Sequence, residues 1–397
     1  LEATEGARQV FDKTLALKFA PAIKELEGLG YPGISDPKLT ITTKVMTSET
    51  LKHDSAVQYA LSKTDNTLKL PEKYNGLGYQ NLISMVFDLM GFRDDWMREG
   101  KAKDTNTVIE PMHLVLVEEP EAHLHIQVQQ VFIRQAYKVL TNHKFLKQNL
   151  NFTTQLVIST HSSHIAIETT FGNLRYFKRL PEGTECAVAT SKVINLSDVF
   201  GDSDQTNKFV TRYLQSTHCD LFFADAAILV EGVAESMLLP HFIRSKFPEL
   251  YQRYITILGV NGRHAHRLSP LIEKLCLPTL VITDLDPAEK EGYHKSVVPK
   301  RGEGQISGNY AIAKWLMKEK DIDKLVDYSE DKKEFSFASP YRFSIRLAYQ
   351  TPVKVDFEGE EKEAIPGTFE DCLIYTNYDL FKKIKVTDSG NLVEQTH

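Results

Sequence analysis

The 397-residue chain is 42% hydrophobic and 25% charged, the proportions of an ordinary soluble globular protein, and its length points to two or three domains. No apolar run approaches the roughly 18 residues of a membrane span, and the N-terminus shows no charged-then-apolar leader, so a cytoplasmic protein with no membrane partner is expected. The net charge of −6 gives no global nucleic-acid signature, although nucleases gather acids at a metal site and bases in loops. The four cysteines, Cys186, Cys219, Cys276 and Cys372, lie far apart without a CxxC pair, which argues against a disulfide framework or a zinc ribbon.

Residues 1–110 read as mixed. A helix is predicted from Arg8 to Glu27, ending at a turn rich in Gly and Pro (Gly28, Gly30, Pro32, Gly33). Strand-like alternation follows at 39–46 and 55–62. The segment 74–85 is a glycine turn opening an apolar helix, and a polar loop covers 93–107. From 112 the pattern becomes α/β: a buried strand at 112–119, a helix at 122–140, a second buried strand at 154–160, and closing strands at 174–180 and 185–194. A polar helix at 204–216 leads to a second series with strands at 226–231, 254–260 and 279–284 and helices at 234–245 and 265–275. Strands alternating with helices of this length predict a parallel sheet in each half. The boundaries are placed at 1–195, a helical linker at 196–225, and 226–397.

In the first half, "LVLVEEPEAHLH" (114–125) is a run of four apolar residues feeding two acids. That is the Walker B pattern, in which a buried strand delivers carboxylates to its C-terminal end. Glu118 would hold Mg²⁺, directly or through water, and Glu119 would polarise the water attacking a γ-phosphate. About 40 residues on, "LVISTHSS" (156–163) ends a second strand and presents His161, where ABC-type ATPases place a γ-phosphate contact. Gly76 and Gly78 in "NGLGYQN" stand just before a helix, where backbone N–H groups and the helix terminus favour phosphate. Taken singly, each feature has an ordinary explanation: a solvated strand end, an N-cap beside a surface histidine, a simple glycine turn. Their order on successive strands favours the ATPase reading. No GxxxxGK[ST] loop occurs in the 397 residues, so the backbone cradle and lysine for the phosphates are expected from a segment upstream of Leu1 or from another chain.

In the second half, "AILVEGVAE" (227–235) places Glu231 at a strand end, followed by Gly232 and a helix carrying Glu235; "LVITDLDP" (280–287) ends another strand with Asp284 and Asp286. Each pair has an ordinary alternative, a helix-start acid pair favoured by the macrodipole or a turn before Pro287. Four carboxylates brought together on parallel strands repel unless a cation neutralises them. Oxygen donors without Cys or His suit Mg²⁺, Mn²⁺ or Ca²⁺, and such a cluster fits phosphodiester chemistry. The "HLH" (123–125) and "HAH" (264–266) runs are read as surface or loop histidines. The segment 287–308 carries Lys290, His294, Lys295, Lys300 and Arg301; it reads equally as a path for a DNA backbone or as a solvated mobile loop.

Glu-Gly on one strand and Asp-x-Asp on a later one resemble the Toprim motif of topoisomerases, primases and certain nucleases. An ABC-type ATPase followed by Toprim in this order resembles the OLD (overcoming lysogenization defect) family of ATP-dependent nucleases, which includes the Gabija A subunits of antiphage defence. "EEPEAHLH", "STHSS", "THCDLFFADAAILVEG" (217–232) and "TDLD" carry the likeness over roughly 75–290, and "TFEDCLIYTN" (368–377) resembles an acidic helix start of that family. The resemblance implies an α/β fold in two parts: a partial ABC-type ATPase domain without its P-loop segment, then a Rossmann-like Toprim domain with a parallel sheet. It implies a metal-dependent DNA endonuclease regulated by the ATPase, in antiphage defence and alongside a defence partner protein. Two ions at the Toprim site are implied, one on Glu231 and Glu235, Asp284 bridging, and Asp286 and Glu370 completing the second, with Asp371 the second choice for Glu370. Glu231 is also a candidate base, and a lysine is expected to stabilise the transition state, a role that Lys382, Lys383 and Lys385 cannot be assigned.

The alternatives are an ATPase scaffold whose Toprim domain binds DNA without cutting, and a primase- or topoisomerase-like enzyme, although no tyrosine is nominated as a nucleophile. The ATPase reading implies a homo-oligomer, most simply a dimer, because Glu118 and Glu119 serve one nucleotide while the Gly76–Gly78 loop reaches a neighbour's. ATP is a ligand only where a P-loop is supplied. This chain by itself is therefore expected to show negligible ATP hydrolysis in a phosphate-release assay; robust turnover that Glu119→Gln removes would refute this.

Overall fold

The computed structural model describes residues 2–28, 38–44, 54–60, 69–71, 76–99, 108–180, 188–199, 219–260, 264–290, 296–338, 342–357 and 359–382. The predicted helix at 204–216, His294, Lys295, Lys383 and Lys385 lie outside the described residues. The chain parts into two compact units, Leu1–Thr169 and Thr170–His397.

The first unit opens with helix α1 (Glu2–Gly28) and an antiparallel meander of β1 (Lys38–Lys44), β2 (Asp54–Ala60) and β3 (Lys69–Pro71). Then come α2 (Leu77–Trp96), β4 (Met112–Glu118), α3 (Ile126–Thr141), the short α4 (Lys144–Gln148), β5 (Thr153–Ser159) and the short α5 (Ser163–Ile167). Leu82, Ile83, Val86, Leu89 and Met90 recur at helical spacing on one side of α2 and join Phe132, Ala136, Val139 and Leu140 of α3 and Val115 of β4 in one core. Buried Arg93 ties the helices: its guanidinium donates to the carbonyl oxygens of Val139 and Asn142 at the end of α3, and pairs with Glu25 of α1 at 3.1 Å. Cations are favoured where a helix leaves its last carbonyls unpaired.

Strands β4 and β5 pair in parallel, with Glu118 opposite Ser159. The continuous apolar runs predict strands buried on both faces. Instead their residues alternate: Val115 is buried, while Leu114 and Leu116 are 53% and 69% exposed. The covered face is the one that meets α2 and α3.

The second unit begins with the antiparallel hairpin β6 (Arg175–Leu180) and β7 (Thr190–Asn195). Its centre is a five-stranded sheet in the order β13-β14-β10-β8-β9, formed by β8 (Ala226–Val230), β9 (Ile255–Gly259), β10 (Thr279–Ile282), β13 (Glu334–Phe337) and β14 (Phe343–Ala348). All are parallel except the edge strand β13. Helix α6 (Val233–Lys246) and the short α7 (Pro248–Tyr251) link β8 to β9, and α8 (Ser269–Leu275) links β9 to β10. The chain therefore leaves β8 toward β9 on one side and returns to β10 on the other. In open parallel sheets the crevice beyond the C-terminal strand ends at such a reversal is where ligands collect.

Between β10 and β13 runs an excursion with the two-residue pair β11 (Pro287–Ala288) and β12 (Ile306–Ser307) and the short α9 (Ile322–Val326). After β14 come the hairpin β15 (Val353–Phe357) and β16 (Glu360–Ala364), then α10 (Phe369–Thr376) and α11 (Tyr378–Phe381). Leu229, Val281, Ile345 and Leu347 are fully buried in the central strands. Leu229→Ala, which opens a cavity at the middle of the sheet, is expected to cost about 2–5 kcal/mol in urea denaturation; a loss within error would contradict this placement.

Candidate functional site

The strand register brings the second-half acids together. β8 and β10 are neighbours with Val230 opposite Ile282, so Glu231 stands one residue, and Thr283 and Asp284 one and two residues, beyond the same edge of the sheet. Glu231 Oε2 accepts hydrogen bonds from Thr283 Oγ1 (2.6 Å), the Asp284 backbone N–H (3.1 Å) and Asn309 Nδ2 (3.1 Å). Asn309 is wholly buried and also donates toward Thr283 Oγ1 (2.8 Å) and Asp286 Oδ2 (3.3 Å). Gln350, just past β14, donates through Nε2 to Asp284 Oδ1, while its Oε1 accepts from the Leu285 N–H at 2.8 Å. Asp286 has φ +48°, in the left-handed region that non-glycine residues enter at a cost.

Glu235 lies in the first turn of α6 and is 2% exposed. Its carboxylate folds back over Gly232, where a Cβ would meet Oε2 at 2.6 Å; the glycine of the Glu-Gly pair makes that room. Burial raises the Glu235 pKa, with Glu370 and Glu231 adding to it against backbone hydrogen bonds at Glu235 and Gly232. Helix α10 brings up the last acid. Its N-cap Thr368 and Asp371 form a reciprocal capping box, with Asp371 Oδ2 accepting from the Gly367 and Thr368 N–H groups. Asp371 is thus spent on the cap, and Glu370 is the acid whose charge reaches Glu235.

The donor chemistry fits a hard divalent cation. Burial, reinforced by Glu231, Glu235 and Asp286 and opposed by the Gln350 hydrogen bond, raises the Asp284 carboxyl to about 7. Glu235 Oε2 is buried without a hydrogen-bond partner. None of the described ion pairs involves Glu231, Glu235, Asp284 or Glu370. A buried like-charged group of this kind is costly unless protonated or countered by a cation. As the side chains stand, no three His, Cys, Asp or Glu groups among the described residues are in ligating geometry.

The first-half residues make a different arrangement. Glu118 ends β4, and Glu119, at φ +44°, turns out of the strand while its N–H donates to the Ser159 carbonyl at 3.0 Å. His161 Nε2 stands 3.3 Å from Glu119 Oε1, and both side chains are exposed. Sequence reading passed over Glu121, whose Oε1 accepts from Thr160 Oγ1 (2.8 Å) and the His161 N–H (2.6 Å); it fixes the end of β5 against the loop after β4. Gly76 is the N-cap of α2. A Cβ on Gly78 would come within 2.5 Å of the His123 carbonyl oxygen, so only glycine lets α2 approach that loop, and Asn81 Nδ2 donates to the Ala122 carbonyl at 2.7 Å. Glu118, Glu119, His161 and the Gly76–Gly78 turn are thus assembled around one loop, 119–124.

Of the basic segment 287–308, Arg301 is committed internally: it pairs with Asp327 at 2.9 Å and Glu363 at 2.7 Å. Asp323 accepts from the Gly302 N–H, and Gln305 bridges Lys300 and Val298. The described part of this segment is a built loop. Of the site residues absent from the sequence reading, Thr283, Asn309 and Gln350 are uncharged, and Glu121 sits inside the Walker B-like run but beyond the two acids that the pattern assigns.

Comparison with known proteins agrees with this division. Residues 5–166 match the AAA ATPase domain family, and residues 222–286 match the overcoming lysogenization defect protein-like TOPRIM domain. The chain thus has an AAA ATPase-type N-terminal part followed by a TOPRIM domain. It is 29% identical over 329 residues to endonuclease GajA of Bacillus cereus (strain HuB5-5), covering 79% of this chain and 43% of that protein. It is 24% identical over 220 residues to endonuclease GajA of Bacillus cereus (strain VD045), covering 55% and 33%. The chain therefore spans less than half the length of these curated relatives. A solved SMC ATPase chain superposes with a TM-score of 0.26 at 11% identity, over 48% of this chain and 90% of that one, too loosely to carry an argument. No described helix is long and apolar enough to cross a membrane.

The raised Asp284 carboxyl sets a pH dependence. Its folded pKa, about 7, lies above the ordinary aspartate value of 3.8, so its contribution to stability is intact below about pH 4 and is lost as pH rises through 7. In chelator-treated protein, Asp284→Asn is expected to raise the melting temperature at pH 8, with the gain shrinking toward pH 4. A gain that grows toward acid pH would contradict the burial of this charge.

Proposed function

We propose that the chain is part of a divalent-metal-dependent DNA endonuclease in which the TOPRIM unit cuts and the ATPase-type unit regulates. The observation that carries the reading is the convergence of Glu231, Glu235 and Asp284 from β8, α6 and β10 with no Lys or Arg ion pair among the described residues. The likeness to endonuclease GajA supports it. Glu231 and Glu235 would hold one ion, Asp284 would bridge, and Asp286 and Glu370 would hold a second, with Mg²⁺ the expected ion and Mn²⁺ or Ca²⁺ the alternatives. When bound, the cation supplies Lewis-acid stabilisation of phosphate charge and an acidified water.

The chain's own residues then have separable tasks. Glu231 is the candidate base, because it lies at the sheet edge and is already held in one orientation by three donors. Glu235 and Asp284 keep their charge out of bulk water, where it attracts a cation most strongly. In the ATPase-type unit, Glu118 would hold Mg²⁺, Glu119 would orient water and His161 would meet the γ-phosphate, on a nucleotide whose P-loop comes from outside these 397 residues. The Gly76–Gly78 turn would serve a neighbour's nucleotide, so we place the protein as a homodimer acting in antiphage defence from the cytoplasm with a defence partner protein.

The test is cleavage of supercoiled plasmid with Mg²⁺ or Mn²⁺. Asp284→Ala is expected to abolish metal-dependent nicking, a loss of at least 100-fold, while circular dichroism shows an unchanged fold. Undiminished cutting by the folded variant would overturn the assignment.

A further inference from the structure

The acids of the candidate metal centre are oriented by uncharged amides. An ammonium or guanidinium in that place would neutralise the cluster and compete with a cation, whereas an amide N–H fixes a carboxylate and leaves its charge whole. Asn309 holds the central position. Its Oδ1 accepts the Ala311 N–H at 2.9 Å, which settles which end of the amide is the donor. The two hydrogens on Nδ2 are then shared among Thr283 Oγ1, Glu231 Oε2 and Asp286 Oδ2. One buried side chain thus links the acid that ends β8 to an acid that follows β10.

The chain leading to Asn309 is stitched to the same place. The Gly308 N–H donates to the Asp286 carbonyl at 2.8 Å, Ser307 Oγ donates to the Leu285 carbonyl at 2.7 Å, and the Asn309 N–H donates to Ser307 Oγ at 3.2 Å. Farther back, Arg301 fastens the loop to Asp327 and Glu363. Midway along, the excursion between β10 and β13 therefore inserts an amide among the carboxylates, and several hydrogen bonds hold in place a residue with no acid, base or nucleophile of its own. Groups that orient metal ligands through hydrogen bonds commonly govern metal affinity by about 10–100-fold.

We propose that Asn309 is a positioning residue of the metal centre, setting its cation affinity by holding Glu231 and Asp286 directly and Glu231 a second time through Thr283. This rests on the metal reading of the cluster. The test is Mn²⁺ binding to the whole chain, followed by the loss of the free-ion EPR signal, beside plasmid cleavage as a function of Mn²⁺ concentration. Asn309→Ala is expected to weaken Mn²⁺ binding by about 10–100-fold and to recover cleavage to within a few-fold at saturating Mn²⁺. Thr283→Val, which keeps shape and removes the shared hydroxyl, is expected to shift binding in the same direction and stands in should Asn309→Ala not fold. Wild-type Mn²⁺ affinity in either folded variant would overturn the proposal. A loss of rate that saturating Mn²⁺ does not recover would overturn it too, since Asn309 would then act in the reaction itself. Absence of Mn²⁺ uptake by the wild-type chain would bring down the metal reading and this inference with it.

Discussion

The repulsion among the half-buried carboxylates at the β8–β10 edge and buried Glu235 beside them is the constraint around which the second unit is arranged. Two neighbouring parallel strands, reached by crossovers in opposite directions, necessarily end side by side, and here both ends carry acids. The surrounding chain answers with donors that carry no charge: Thr283, the Asp284 N–H, Asn309 and Gln350. They come from three stretches: the residues just past β10, the excursion and the segment after β14. The sheet order, the long insertion and the fourth parallel strand are all needed for one small group of hydrogen bonds.

The two candidate sites differ in how far they are finished. The carboxylate cluster is sunk into the unit, with Glu235 and Asn309 almost or wholly inaccessible. Glu119 and His161 face solvent at the end of a two-stranded sheet, and what is rigid there is the support: Glu121 under Thr160 and His161, and Gly78 against His123. Electrostatic interactions are strong where water is displaced and weak where it is not. The first unit therefore shows acids and imidazole still in water, on a fixed platform.

Much of this was legible in the sequence because acids at the ends of apolar strands are written locally. Glu118, Glu231 and Asp284 follow recognisable runs, and the strands that deliver them, β4, β8 and β10, stand where alternation with helices predicts. The full burial expected of β4 and β5 was not met, since an apolar run does not state how many of a strand's faces its own unit covers. Asn309 and Gln350 were invisible for another reason. An amide among carboxylates is defined by partners 23 to 78 residues away, and neither composition nor periodicity carries that information. Glu370 and Asp371 could be separated only once the capping box was seen.

Glu119 and Asp286 share a feature: each has a positive φ in the chain that follows its strand, Glu119 directly after β4 and Asp286 four residues after β10, just before β11. For side chains with a Cβ the left-handed region costs on the order of 1 kcal/mol, and glycine would adopt it freely. Glycine at either position would relieve that cost and remove the charge. A carboxylate at each position trades conformational ease for charge.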